Sequence, residues 1–232
     1  MTDYMILIRE SEAEQQRMAP SDTKALVEGH AAYVKHLKAA GAYRDSERFR
    51  PSAEGKRVHA RNVEPGPFGD EQAIAGYYLV QADSLDAAVA LADRCPMASG
   101  DALDVRPLMG GDVRADKASR QGKTFAFAVL GNASSEEAWV EVMDRIEAET
   151  HDGFPDDRFL GGVRLDAPGR GRQIVSGDHK RMLMDGPFLE SKEVIGGLFF
   201  MRMADLDEAV RWAKATRFMK HGALEIRELW RS

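Results

Sequence analysis

A histidine and an aspartate, His30 and Asp185, are the side chains of this sequence best suited to chemistry. His30 shares a predicted helical face with an apolar stripe. The stripe consists of Leu26, Tyr33 and Leu37. Because imidazole titrates near neutral pH, His30 could act as a general base. The alternative is a core histidine that is hydrogen bonded to one neighbour, which is the commoner use of a buried polar group.

Asp185 opens an Asp-Gly-Pro-Phe motif that ends at Phe188. Its carboxylate could orient a ligand or hold a catalytic histidine, or it could bond the amides of its own turn. Phe188 and its counterpart Phe68 are candidate ligand contacts, and the alternative for Phe188 is a place in the core. Glu190 and Lys192 follow the motif and could line a pocket, although charges near a loop are more often solvated.

Motifs for several other chemistries are missing. The sequence has no nucleotide-binding glycine loop, no nucleophile elbow and no histidine pair at metal-ligand spacing, so we expect neither a metal nor a cofactor. The single cysteine, Cys95, cannot form an intrachain disulfide and indicates a reducing compartment. We interpret it as a buried, inert thiol rather than a nucleophile.

Charge and hydropathy narrow the range of partners. The chain has 232 residues and a formal net charge of −6, and it lacks the basic stripe that nucleic-acid binding requires. Its amino-terminal segment does not resemble a signal peptide, and no apolar run approaches the ~20 residues of a membrane span. We therefore expect a cytoplasmic protein that binds neither nucleic acid nor membranes.

The sequence pattern of the elements that position these residues occurs twice in the chain. Gly-Pro-Phe occurs at 66–68 and again at 186–188, an offset of 120 residues. Farther along, Leu-Asp-Ala-Ala-Val at 85–89 corresponds to Leu-Asp-Glu-Ala-Val at 206–210, with an offset of 121. Because the matches keep their order over most of the chain, we infer a tandem duplication.

Each copy predicts a strand, a helix, a hairpin-like stretch, a strand, a helix and a final strand. In the first copy these are a strand at 4–9, a helix that ends at Gly41, a hairpin at 43–63, a strand at 76–81, a helix from about Asp83 and a strand at 103–108. In the second copy they are a strand at 124–130, a helix with a capping box at Ser134 and a buried Trp139, a hairpin at 158–184, a strand at 198–203, a capped helix from Asp205 and a strand at 224–229.

This order predicts an α+β fold made of two ferredoxin-like repeats. We expect a first repeat at 1–109, a polar linker at 110–122 and a second repeat at 123–232. Each sheet would have one face without helices. Pairing of the two sheets would bury those faces, as an intramolecular pseudo-twofold dimer.

The segment from Asp185 to Gly197 resembles the signature of the DGPF branch of the YCII-related proteins, as do the opening strand 4–8 and the ending Val105-Arg106-Pro107-Leu108. The resemblance implies a dimeric α+β barrel, here made within one chain. Family members are mostly uncharacterised. Some are found alongside extracytoplasmic-function sigma factors, and a few relatives are lyase-like enzymes that act on chlorinated aromatics. A His–Asp pair has been proposed as the active site of the YCII branch.

The two copies depart from this pattern in complementary ways. The first keeps His30 where the second has Ile146, and the second keeps Asp185 where the first has Pro65. One composite site is therefore a hypothesis. Two functions stay open: binding of an unidentified small molecule with lyase-like acid–base chemistry, or a non-catalytic regulatory module linked to a sigma factor. Whether the chain is an enzyme, and whether it forms a further homodimer, is left open by the sequence.

Overall fold

The computed structural model describes residues 1–68, 72–113, 123–131, 139–141, 144, 158–177, 180–185, 194–216 and 222–230. The strands are β1 (Thr2–Glu10), β2 (Tyr43–Arg48), β3 (Lys56–Val58), β4 (Val63–Pro65), β5 (Ala73–Ala82), β6 (Ala102–Val113), β7 (Lys123–Gly131), β8 (Phe159–Leu165), β9 (Arg172–Ser176), β10 (Arg181–Asp185), β11 (Val194–Met203) and β12 (Gly222–Glu228). The helices are α1 (Glu12–Arg17), α2 (Pro20–Ala39), α3 (Leu85–Ala92) and α4 (Leu206–Ala215).

The chain forms two compact units. The first consists of residues 1–48, 70–108 and 169–188, and the second of residues 49–69, 109–168 and 189–232. Within the first unit the strand order is β2-β5-β1-β6-β9-β10, and each neighbouring pair is antiparallel. The four strands that come from the first repeat have the strand order of a ferredoxin-like fold, as predicted.

The core of the first unit lies between its sheet and helices α2 and α3. Proline at the start of α2 suits the first helical turn, where the missing amide hydrogen has no partner to lose. Ser84 caps α3 by accepting a hydrogen bond from the Ala87 amide at 3.1 Å. Tyr33 and Leu37 of α2 are buried against alternate residues of the strands, so the helices cover one face of this sheet.

The second unit repeats this order as β8-β11-β7-β12-β3-β4. Asp205 caps α4 by accepting from the Glu208 amide at 2.7 Å, and the Glu208 carboxylate accepts from the Ala204 amide, so a reciprocal cap is present as predicted. Residues 139–141 and 144 are helical, and Trp139 is buried in the core. The predicted capping box at Ser134 lies outside the described residues.

Each unit takes one hairpin from the other repeat. The β3–β4 hairpin of the first repeat pairs with β12, and the β9–β10 hairpin of the second repeat pairs with β6. The compact units therefore differ from the simple halves expected at 1–109 and 123–232. Strands β6 and β12 have nearly the same apolar alternation, so the sequence pattern does not distinguish which hairpin each of them receives.

Two local features refine the sequence interpretation. Strand β6 continues to Val113, so 110–113 is strand where a linker was expected, and 114–122 lies outside the described residues. At the first Gly-Pro-Phe motif, a Cβ on Gly66 would lie 1.8 Å from the Ser52 carbonyl oxygen. The close backbone approach explains why glycine occupies this corner.

Candidate functional site

Five side chains form a polar cluster in the first unit: His30 from α2, Glu10 at the end of β1, Arg48 at the end of β2, Tyr78 from β5, and Asp101 just before β6. Tyr78 packs under α2 with the buried core of this unit. Arg48 is paired with Gly76 of β5, which lies two positions before Tyr78. The Arg48 and Tyr78 side chains therefore project from the same face of the sheet. The cluster therefore lies on the helix-covered face, where polar groups need partners.

His30 is hydrogen bonded through its Nδ1 atom to the Tyr78 hydroxyl, at 2.8 Å. Burial lowers the pKa of His30 below its ordinary value of 6.5, Glu10 partly counters this and Arg48 adds to it. The imidazole is therefore neutral at pH 7, in the state that a general base requires.

Two tyrosines support the histidine. The Tyr33 ring meets the Tyr78 ring edge-on with centroids 4.9 Å apart, and the Tyr33 hydroxyl donates to the Leu91 carbonyl oxygen at 3.0 Å. Burial is the main cause that raises the pKa of both tyrosines well above 10. Both hydroxyls therefore stay protonated and act as neutral hydrogen-bonding groups.

Glu10 and Arg48 form a two-pronged ion pair. The Arg48 Nη2 atom lies 2.7 Å from Glu10 Oε2, and Nη1 contacts Oε1. The Glu10 side chain is only 4% exposed, whereas that of Arg48 is 48% exposed. A buried carboxylate with both oxygens bonded to a guanidinium has a fixed orientation relative to the histidine.

Asp101 accepts hydrogen bonds from the Ala98 amide at 2.8 Å and from the Ser11 amide at 3.3 Å. Burial raises the pKa of Asp101 to about 6, with a further contribution from Glu10 and opposition from these amides and Arg48. At neutral pH the cluster thus has two carboxylates, one guanidinium and a neutral imidazole. Its formal net charge is about −1, and of the two charged groups that act on His30, Glu10 raises the pKa of the histidine and Arg48 lowers it.

The described residues of the second unit do not form this cluster. In strand register, Gly131 matches Glu10, Gly222 matches Asp101 and Phe199 matches Tyr78. A Cβ on Gly131 would lie 3.7 Å from Cζ3 of Trp139, so the buried indole lies next to the position that Glu10 has in the first unit. A Cβ on Gly222 would lie 1.9 Å from the Leu130 carbonyl oxygen. At these three positions the second unit has glycine or phenylalanine instead of the two acidic groups and the phenol.

The predicted catalytic pair is not joined by any contact among the described residues. His30 contacts Tyr78, whereas Asp185 ends β10 with a side chain that is 79% exposed. The Asp185 carboxylate lies 2.7 Å from the Arg172 Nε atom, across the β9–β10 hairpin. The geometry thus gives His30 Glu10, rather than Asp185, as its acidic electrostatic neighbour.

The remaining candidates have different environments. Phe68 lies in the second unit, where the Arg57 guanidinium stacks over its ring at 4.4 Å. Phe188, Glu190 and Lys192 lie outside the described residues. Cys95 is a buried free thiol whose pKa is raised to about 12, chiefly by burial, as expected for an inert cysteine.

Sequence reasoning missed four members of the cluster: Glu10, Arg48, Tyr78 and Asp101. A signal for three of them was present in the repeat, because aligning the two copies places polar residues of the first copy opposite glycine or phenylalanine in the second. Arg48 gives no such signal, since Arg164 occupies its position in the second copy. Within the described part of the chain, no group of three histidine, cysteine or acidic side chains is arranged to hold a metal ion.

Fold and site together define a duplicated ferredoxin-like α+β protein with a polar cluster around His30 in its first unit. The chain belongs to the YCII-related domain family, whose model matches residues 2–110 and 164–232. No curated protein sequence matches this chain significantly. No helix in the described residues is both long enough and apolar enough to cross a membrane.

Two solved structures are similar to the chain in fold. One is described as a candidate chlorite dismutase, with 8% identity, a TM-score of 0.45 and coverage of 100% of this chain and 96% of its own. The other is a candidate monooxygenase from Fusobacterium nucleatum, with 12% identity, a TM-score of 0.39 and coverage of 98% and 91%. Similarity at this level gives no information on activity.

Proposed function

We propose that the chain binds a small molecule at the polar cluster of its first unit and that His30 exchanges a proton with it. The observation that supports this proposal is the hydrogen bond between His30 Nδ1 and the Tyr78 hydroxyl, together with the buried Glu10 carboxylate that raises the pKa of the histidine. A core histidine needs one partner, but it does not need a buried carboxylate that raises its pKa against the effect of burial.

The proton transfer follows from the two ring nitrogens. The proposal takes the tautomer in which Nδ1–H donates to the Tyr78 oxygen, so that Nε2 has a lone pair and no hydrogen-bond partner among the described residues. A ligand C–H or O–H proton moves to Nε2, and the electron pair of the broken bond stays on the ligand. The imidazolium that forms is stabilised by Glu10, and it returns the proton in the reverse step or to a product.

This chemistry is compatible with the lyase-like activity that the family resemblance implies. Elimination begins with loss of a proton next to the bond that breaks, and a neutral, oriented imidazole is suited to remove it. Membership of the family supports the reaction class only by analogy. Assignment to the DGPF branch remains part of this proposal, as does the hypothesis that Asp185 joins His30 in one composite site.

We also infer that the two units pair as the intramolecular dimeric α+β barrel that the family resemblance implies. The support is the duplicated ferredoxin-like topology within one chain. Small-angle X-ray scattering tests it, because a compact particle of 232 residues has a radius of gyration of about 17 Å. A clearly larger value would show that the units are extended along the chain.

The test of ligand binding is a thermal-shift panel of chlorinated and unchlorinated aromatic acids and lactones. A compound that binds only the folded chain adds about 2.7 kcal/mol to the free energy of unfolding at 100 times its Kd. We expect stabilisation of the wild type and of His36→Ala, a control on the same helix, and its loss in His30→Ala. Asp185→Asn loses it too if the composite site is real.

Two results would overturn the proposal. If no compound stabilises the wild type, the panel speaks for the alternative of a non-catalytic interaction module. If a compound stabilises His30→Ala as much as the wild type, the ligand binds elsewhere. Exchange of a ligand proton with deuterated solvent, followed by NMR, then tests the chemistry, since binding without exchange would show that His30 only positions the ligand.

A further inference from the structure

Strand β10 presents three consecutive large apolar side chains to solvent. Met182 is 46% exposed, Leu183 is 58% exposed and Met184 is 47% exposed. Among the described strands β10 pairs only with β9, so one of its edges has unpaired backbone groups. An apolar strand with a free edge is a template for pairing with another strand.

The matching strand of the second unit is protected. Strand β4 occupies the same outer position beyond β3, and it contains Glu64 and Pro65. A charge and a proline are two of the devices that prevent edge-to-edge association. The two hairpins therefore differ in their outer strands. Strand β4 has a charged residue and a proline, whereas β10 has three exposed apolar residues between its charged ends.

The sequence of β10 is complementary to itself. In an antiparallel pair of two β10 strands centred on Leu183, the two Leu183 side chains face each other across the twofold axis. Met182 then faces Met184 of the second copy, and Arg181 faces Asp185 of the second copy. A shift of two residues in either direction would place Leu183 opposite a charged end of the strand.

The two charged ends of β10 differ in their contacts. Asp185 is 79% exposed although it contacts Arg172 on β9, so it can lie between Arg172 and Arg181 of the second copy. Arg181 is 31% exposed, its Nη1 atom lies 3.6 Å from Asp93 Oδ1, and it donates to the backbone oxygens of Asp93 and Cys95. In the proposed pair the Arg181 guanidinium is shared between Asp93 and Asp185 of the second copy.

We propose that β10 is a homodimerisation edge, at which a second copy of this chain pairs antiparallel about Leu183. The charge complementarity and the apolar centre select a second copy over an unrelated partner. A contact of two five-residue strands is smaller than the ~1,200 Å² typical of a stable complex, so the dimer is weak and depends on concentration. This inference does not depend on the ligand site.

Sedimentation velocity on the full chain tests it, from low to high micromolar concentration. The weight-average mass of the wild type is expected to rise from 25.7 kDa toward twice that value. Leu183→Lys and Leu183→Glu each place like charges opposite each other and remain monomeric. An equimolar mixture of these two variants is expected to form a heterodimer, because Lys then faces Glu at the twofold axis.

Val27→Lys is the matched control, since Val27 is a 64% exposed apolar residue on α2 and its replacement leaves β10 intact. It should dimerise like the wild type. A wild type that is monomeric throughout overturns the proposal, and so does a Leu183→Lys variant that still dimerises. If Val27→Lys is also monomeric, the association is non-specific. If the mixture stays monomeric, the register centred on Leu183 is wrong.

Discussion

The ionisation of Asp101 provides a quantitative test of the electrostatics of the cluster. Two effects oppose each other at this side chain, which is only 2% exposed. Desolvation favours the neutral acid, whereas the two amide hydrogen bonds and Arg48 favour the carboxylate. Burial wins, and the pKa rises from 3.8 to about 6. Replacing Asp101 with asparagine removes the ionisation and keeps the size of the side chain.

The sign of the effect follows from linkage. Because the folded chain binds this proton more tightly than the unfolded chain, the stability contributed by Asp101 is fully present below about pH 4 and is lost as the pH rises through about 6. At about 1.4 kcal/mol for each pKa unit, the loss is up to about 3 kcal/mol. The stability of the wild type minus that of Asp101→Asn should fall by this amount between pH 3.5 and pH 7.

Urea unfolding of both proteins across this pH range is the assay. The difference between the two proteins isolates the titration of Asp101, because the other groups titrate in both. A difference that is flat with pH would mean that hydrogen bonding cancels burial. If the stability advantage of the wild type over Asp101→Asn instead grows as the pH rises, the amide hydrogen bonds outweigh burial and lower the pKa of Asp101. Asp101 would then still be ionised at neutral pH, but burial would not control its pKa.

Three further predictions test the site and the core. The pKa of His30, measured by NMR, should lie below 6.5 and fall further in Glu10→Gln, since Glu10 is the group that raises it. A pKa that is the same in the variant and the wild type would show that Glu10 does not act on His30. Trp139→Ala should cost about 3–5 kcal/mol in urea unfolding, as for other buried aromatic residues, and a loss under about 1 kcal/mol would show that the indole is not packed. Cys95, with its pKa near 12, should resist a thiol reagent at pH 8 in the native chain and react after unfolding; rapid native reaction would contradict its burial.

The amino-acid sequence by itself determined the elements and their duplication. Strands β1, β5, β7 and β11 follow from short apolar runs, and helix α4 follows from its capping residues together with a buried stripe. These signals are local, because they depend on residues that are neighbours in the chain. His30 was identified for the same reason, since its position on a helical face is visible in the spacing of its neighbours.

Only the tertiary structure decided which residues surround His30 and which hairpin joins which sheet. Glu10 and Asp101 are 91 residues apart in the chain and reach one site because β1 and β6 are neighbours in the sheet. The sequence does not specify which hairpin joins which sheet, because β6 and β12 offer nearly the same pattern to either hairpin. Long-range pairing and burial fix these features, and burial in turn sets the pKa values of the cluster.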